Sequence, residues 1–141
     1  VAVVSDFLWT VGLVNKKVIE ILGDTLSKKR NYQIVKRGRF STLMLTKRYK
    51  VWAKSAALQL SVHRPIEAVW PIHMHFYFYR KTLRHFDFVN LAQGPQDALQ
   101  DAGIIPEDDM AHVIPVFHGE YAGWEKDKEN PRVVITIIGD F

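Results

Sequence analysis

From Ile72 to Tyr79 the chain alternates without a break: Ile72, Met74, Phe76 and Phe78 fall on one side, His73, His75, Tyr77 and Tyr79 on the other. Successive side chains of an extended backbone point to opposite faces, so a period of two predicts a strand with one face on a core. Helical winding would scatter the same residues around a cylinder. The strand also fixes what comes next, because it delivers Arg80, Lys81 and Arg84 to its exit, just before Asp87.

The rest of the chain supplies partners for that strand. Val18–Leu22 reads as a strand ended by Gly23-Asp24, and Tyr32–Lys36 with Phe40–Leu45 as a hairpin around Arg37-Gly38-Arg39. Thr46 is a natural N-cap for a helix over Lys47–Leu60, in which Tyr49, Trp52, Ala53, Ala56 and Leu60 share a face and Lys47, Lys50 and Lys54 lie elsewhere. A second helix is expected to start near Pro95, since proline suits a first helical position and damages an interior, and to run to Ala102 with Gly103 as its stop. Val113–Phe117 and Val133–Ile138 give two more strands, with Gly119–Pro131 as a charged connection. This is the pattern of one α+β domain, a curved mixed sheet with a few packed helices, over residues 17–141. The chain's 141 residues are enough for a single core. Residues 1–16 form an N-terminal extension. Val1–Val14 is apolar, too short to cross a bilayer, and without the basic leader or small-residue cleavage site of a signal peptide. An added strand, a dimer-packing segment and upstream translated sequence all fit it.

Charge is divided along the chain. Between Lys28 and Lys54 there are ten Lys or Arg residues and no acid; from Asp87 onward eleven acids face only Lys126, Lys128 and Arg132. The net charge of +4 hides this split. A basic block suits a polyanion, and Lys28, Lys29, Arg30, Arg37, Arg39, Arg80, Lys81 and Arg84 are the candidate phosphate contacts, the plain alternative being a solvated basic face. The chain has no cysteine, which excludes disulfides and thiolate metal sites and suits a reducing cytoplasm. His73 and His75 form a His-x-His pair that could ligate a transition metal, or simply make a polar strand face or subunit interface.

Among the acids, Asp87 follows the basic strand exit, Asp97-Ala98-Leu99 lies in the second helix, and Asp108-Asp109 follows Gly103. A short helix between two tight turns would fold Asp108 and Asp109 back towards Asp87. Converging carboxylates resist ionising together unless a cation neutralises them, and Mg²⁺ takes one or two carboxylates plus waters and substrate phosphates. Such an ion activates water for phosphodiester cleavage.

This run resembles the RusA family of Holliday junction resolvases. Its signature is an Arg-rich strand end, Asp-x-Asp-Asn, a helix with Asp-Ala-Leu, a Gly and an Asp-Asp pair. Asp87, Asn90, Asp97-Ala98-Leu99, Gly103 and Asp108-Asp109 match it in order. Upstream, Leu22–Lys29 is similar to the family's first strand and Ser-Lys-Lys loop, and the likeness extends over about residues 17–138. The resemblance implies a RusA-like nuclease domain in a homodimer. It would resolve four-way DNA junctions by paired nicks, in recombination and repair, in the cytoplasm of a bacterium or a phage-infected host. It implies Mg²⁺ (or Mn²⁺) as cofactor and no small-molecule cofactor or membrane partner. Asp87, Asp108 and Asp109 would be metal ligands and catalytic residues, with Asn90 as a positioning residue. Two positions depart from the pattern: Val89 stands where the family has its second acid, and Gln93 where it has a lysine. On a strand-like segment Asp87 and Val89 would share a side, so a ligand is missing there. These departures carry the alternative, a catalytically impaired branched-DNA-binding protein of the same fold.

Overall fold

The alternating segment becomes the centre of the sheet. In the computed structural model, which describes residues 14–141, it is the strand Val69–Arg80. In chain order the strands are β1 (Asn15–Leu22), β2 (Tyr32–Arg37), β3 (Phe40–Leu45), β4 (Val69–Arg80), β5 (Val113–Val116), β6 (Gly123–Lys126) and β7 (Arg132–Asp140). The helices are α1 (Lys47–Leu60) and α2 (Phe88–Asp101). β1 begins at Asn15, inside the stretch read as an extension; residues 1–13, and the alternatives raised for them, lie outside the described residues.

The main sheet has the order β1-β7-β4-β5, and β6 pairs β4 as well. β1 with β7 and β7 with β4 are antiparallel, whereas β5 and β6 both run parallel to β4. They follow one another along a single edge: β5 pairs Ile72–His75, and β6 pairs Tyr77–Arg80. The sheet is therefore mixed, and the domain is α+β, as expected. Both helices contribute to one core with the sheet. Ile72, Met74, Phe76 and Phe78 are fully buried, together with Ile19 and Ile21 of β1 and Ile135 and Ile137 of β7. At about 1.5–3 kcal/mol for each large apolar side chain buried, this layer drives folding.

α1 starts where its cap says it should: Thr46 Oγ1 accepts from the Tyr49 amide at 3.3 Å, a contact worth about 1 kcal/mol. Its buried residues Tyr49, Trp52, Ala56 and Leu60 form the apolar stripe read from the sequence. α2 differs from expectation. It starts seven residues earlier than Pro95 and carries that proline inside. The missing amide forfeits one helical hydrogen bond, yet packing outweighs the loss, since Leu91, Ala92, Gly94, Pro95, Ala98 and Leu99 are all buried. Gly94 is what lets the two helices meet. A Cβ there would lie 2.9 Å from Tyr49 Oη and 3.2 Å from Trp52 Cζ3. Gly103, at φ 74°, ends α2 as foreseen, with Ile104 N donating to Leu99 O.

The connection read at Gly119–Pro131 is a second correction, because it contains β6. Four residues are too few for a period to show, and the strand exists because the free edge of β4 offers backbone partners. β2 and β3 form a separate two-stranded sheet, a ribbon tied to the body at its base by Thr46 N donating to Asn31 O (2.8 Å) and Thr46 Oγ1 donating to Asn31 Oδ1 (3.1 Å). No helix among the described residues is long and apolar enough to cross a membrane.

Candidate functional site

At the exit of β4 three pieces of chain enclose a cleft of about 450 Å³: the loop from Asp24 to Asn31, the start of α1 at Arg48, and the segment from Arg80 to Leu91. Aromatic packing fixes its floor. Phe86 and Phe88 meet edge to face at 4.9 Å, both contact Phe78 of β4, and Phe86 also packs on Trp124 of β6 at 5.2 Å. Asp87 is thus pinned between two anchored rings and presented to the cleft. There it caps α2: its Oδ1 accepts from the Val89 amide at 2.9 Å, and its other carboxylate oxygen has no partner among the described residues. One turn on, Asn90 lines the same cleft.

Cations dominate the walls, with Arg30, Arg48, Arg80, Lys81 and Arg84 against Asp24 and Asp87. Asp24 is committed, since its Oδ1 accepts from Arg80 Nε at 3.2 Å and from the Lys81 amide at 3.3 Å. Arg80 also lies 4.9 Å over the Phe86 ring, a cation–π contact that locks it in place. Among the described residues, the side chains of Arg30, Arg48, Lys81 and Arg84 have no acidic partner. Thr25 Oγ1, Ser27 Oγ and Arg80 Nη1 are buried at the cleft wall without a hydrogen-bond partner among the described residues. A buried unpaired hydroxyl or guanidinium nitrogen costs about 1–3 kcal/mol, and an oxygen-rich anion such as a phosphate would satisfy such donors.

Six of the residues singled out from sequence meet here: Arg30, Arg80, Lys81, Arg84, Asp87 and Asn90. Lys28 and Lys29 do not line the cleft. Lys28 instead donates to Asp97 Oδ2 at 2.6 Å, and that hydrogen bond raises its pKa, against a smaller opposing effect of burial. Arg37 and Arg39 stand at the tip of the ribbon. Arg48 escaped the sequence reading, though its place in the basic block, two residues after the Thr46 cap, could have pointed to it.

The convergence expected of Asp87 with Asp108 and Asp109 does not occur within the chain. Asp108 sits at the far end of α2, its amide donating to Gln100 Oε1 at 3.2 Å and its carboxyl beside that of Asp97. Ten residues separate Asp87 from Asp97, about 15 Å of helix axis at 1.5 Å per residue. The expectation failed because α2 begins at Phe88 and not near Pro95, which makes the spacer rigid and long. For the same reason Asp87 and Val89 do not share a strand face; Val89 is in the first helical turn and 65% exposed.

The acidic end has its own geometry. Burial, and then the Asp97 charge, push the Asp108 carboxyl above its ordinary range, while the His112 hydrogen bond at 2.6 Å holds Asp109 below it. Glu107, Asp109 and His112 offer ligand atoms within 4.8 Å of one another. Burial, followed by the charge of Asp97, pushes the Tyr49 hydroxyl up to about 12, so it stays protonated where the helices cross. Of the His-x-His pair, His75 is buried edge to face against Tyr121 at 5.8 Å. No protein-family model and no curated protein matches this chain.

Proposed function

We propose that the cleft grips a DNA phosphodiester and that the protein is a metal-dependent endonuclease of RusA type, acting as a homodimer on four-way junctions in recombination and repair. The observation that carries this is the meeting of Asp87 and Asn90 with four cations and with Thr25 and Ser27 hydroxyls that have no partner among the described residues. Phosphate oxygens complement the donors, and the acid stands beside them.

The oxygen donors at Asp87 and Asn90 fit a hydrated Mg²⁺ that completes its shell with water and substrate phosphate, in a smaller ligand set than the three acids read from sequence. When bound, the ion supplies Lewis-acid stabilisation and a water of lowered pKa. The chain's own residues do the rest: Arg48 and Arg84 hold the backbone, Thr25 and Ser27 donate to its oxygens, and the aromatic floor keeps Asp87 in register. A two-fold dimer would present such a cleft to each of two equivalent strands of a junction. The compartment that goes with this role is the cytoplasm of a bacterium or phage-infected cell.

A second reading, a junction-binding protein that cuts poorly, is favoured by the separation of Asp108 and Asp109 from Asp87. One assay separates the two: cleavage of an end-labelled four-way junction beside a matched linear duplex, with Mg²⁺ or Mn²⁺ and with EDTA. Paired, metal-dependent nicks near the branch support the nuclease. Salt-sensitive binding without nicks at saturating metal supports the binding protein and removes the nuclease.

A further inference from the structure

Among the described residues, the rest of the fold leaves the β2–β3 ribbon largely uncovered. Its register pairs Ile34 with Leu43 and Arg37 with Phe40, leaving Gly38-Arg39 as a two-residue turn with Gly38 at φ 63°. Phe40 is 76% exposed, Ile34 73% and Leu43 62%. A lone two-stranded ribbon is marginal in water, and an apolar surface on both of its faces calls for a partner. The charges say which kind. Lys36, Arg37 and Arg39 flank Phe40, and no acid occurs between Lys28 and Lys54. Two-fold pairing of this tip with a second copy would set like charges opposite each other.

Resting on the DNA reading above, we propose that the ribbon is a DNA-gripping arm whose tip inserts the Phe40 ring between bases as an apolar wedge. Architectural DNA-binding proteins unstack base steps with inserted apolar side chains, held by flanking cations on phosphates. The position fits. β2 begins directly after Asn31, a wall residue of the cleft, and six extended residues reach about 20 Å from there. At about 3.4 Å per base pair, a duplex with a phosphate in the cleft meets the tip some six base pairs away. Phe40 supplies stacking that tolerates any sequence, as base–aromatic contacts do.

The experiment uses the full chain with a four-way junction carrying 2-aminopurine at the branch, and a linear duplex carrying it internally. Wild-type protein is expected to raise the fluorescence of one or both as bases unstack. Phe40→Ala should abolish that rise and weaken binding about tenfold with an unchanged salt slope, while Phe40→Trp restores both. Circular dichroism and sedimentation without DNA should be unchanged in both variants. Phe40→Ala binding and fluorescence equal to wild type would overturn the wedge. So would a variant whose only defect is a lower sedimenting mass, which would assign the tip to self-association. A wild-type protein that binds no DNA defeats both this inference and the proposed function. A protein that unstacks bases through Phe40 but never nicks keeps the wedge and loses the nuclease.

Discussion

The two ends of α2 carry opposite charge and are built on opposite principles. At the acidic end the charges find partners inside the fold: Lys28 neutralises Asp97, and His112 binds Asp109. At the basic end Arg30, Arg48, Lys81 and Arg84 face a cleft and, among the described residues, have no acidic partner, and buried hydroxyls beside them have no hydrogen-bond partner there. Both ends attract attention as charge clusters in the sequence. What separates them is satisfaction. A group whose hydrogen bonds and charge are already met stabilises the fold, whereas a group held unmet in a cleft is available for a ligand.

The sharpest way to break this contrast is to remove one acid from each end. Asp87→Asn should lower metal-dependent junction cutting about a thousandfold, the several kcal/mol that a metal-held acid supplies at about 1.4 kcal/mol per tenfold. Asp109→Asn should leave the rate within a few-fold. Equal losses in single-turnover cleavage would mean that the two ends act as one site after all.

Next comes the helix that holds the ends apart. Gly94→Val would push a side chain into Tyr49 and Trp52, and should cost about 2–3 kcal/mol in urea unfolding, with both ends disturbed together. A neutral substitution would show that the helices are not in close contact there.

Cations should then sort by location. Arg48→Ala and Arg84→Ala are each expected to flatten the salt dependence of DNA affinity by about one unit. Lys28→Ala should leave the slope unchanged and lower stability by about 1 kcal/mol, since it exposes Asp97 and Asp108 to each other. A flattened slope for Lys28→Ala in fluorescence-anisotropy titrations would put that lysine back among the phosphate contacts.

The smallest effect is electrostatic. Asp108 holds its proton more tightly folded than unfolded, because of burial and the Asp97 charge. Its contribution to stability is therefore present below the unfolded pKa and lost as pH rises through the folded one. At neutral pH the ionised group is a liability, so Asp108→Asn should stabilise by about 0.3 kcal/mol, small because solvent screens a largely exposed carboxylate. The gain should vanish near pH 3 in thermal melts; a gain independent of pH would point away from the Asp97 repulsion.

Much of the fold was legible because local rules and tertiary needs agree. The alternation at Ile72–Tyr79, the Thr46 cap and the Gly103 stop each became the predicted feature. β6 was not legible, being short and paired to the edge of β4, and through Trp124 it steadies the floor beneath Asp87. Of the site, the basic exit of β4 with Asp87 and Asn90 could be read in one continuous segment, whereas Arg48 comes to it from a distant helix start.

The sequence by itself determined the elements whose signal is periodic or sits in a single capping residue, and it determined that basic and acidic residues occupy different halves of the chain. Only the tertiary structure decided where α2 begins and therefore how far Asp87 stands from Asp97 and Asp108. A proline in mid-helix costs a hydrogen bond that any local rule counts, but the burial of Leu91, Ala92, Ala98 and Leu99 in the core shared with α1, with Gly94 allowing the close approach of the helices, outweighs it. That balance depends on residues forty positions away in the chain, and with it went the choice between one cluster of acids and two.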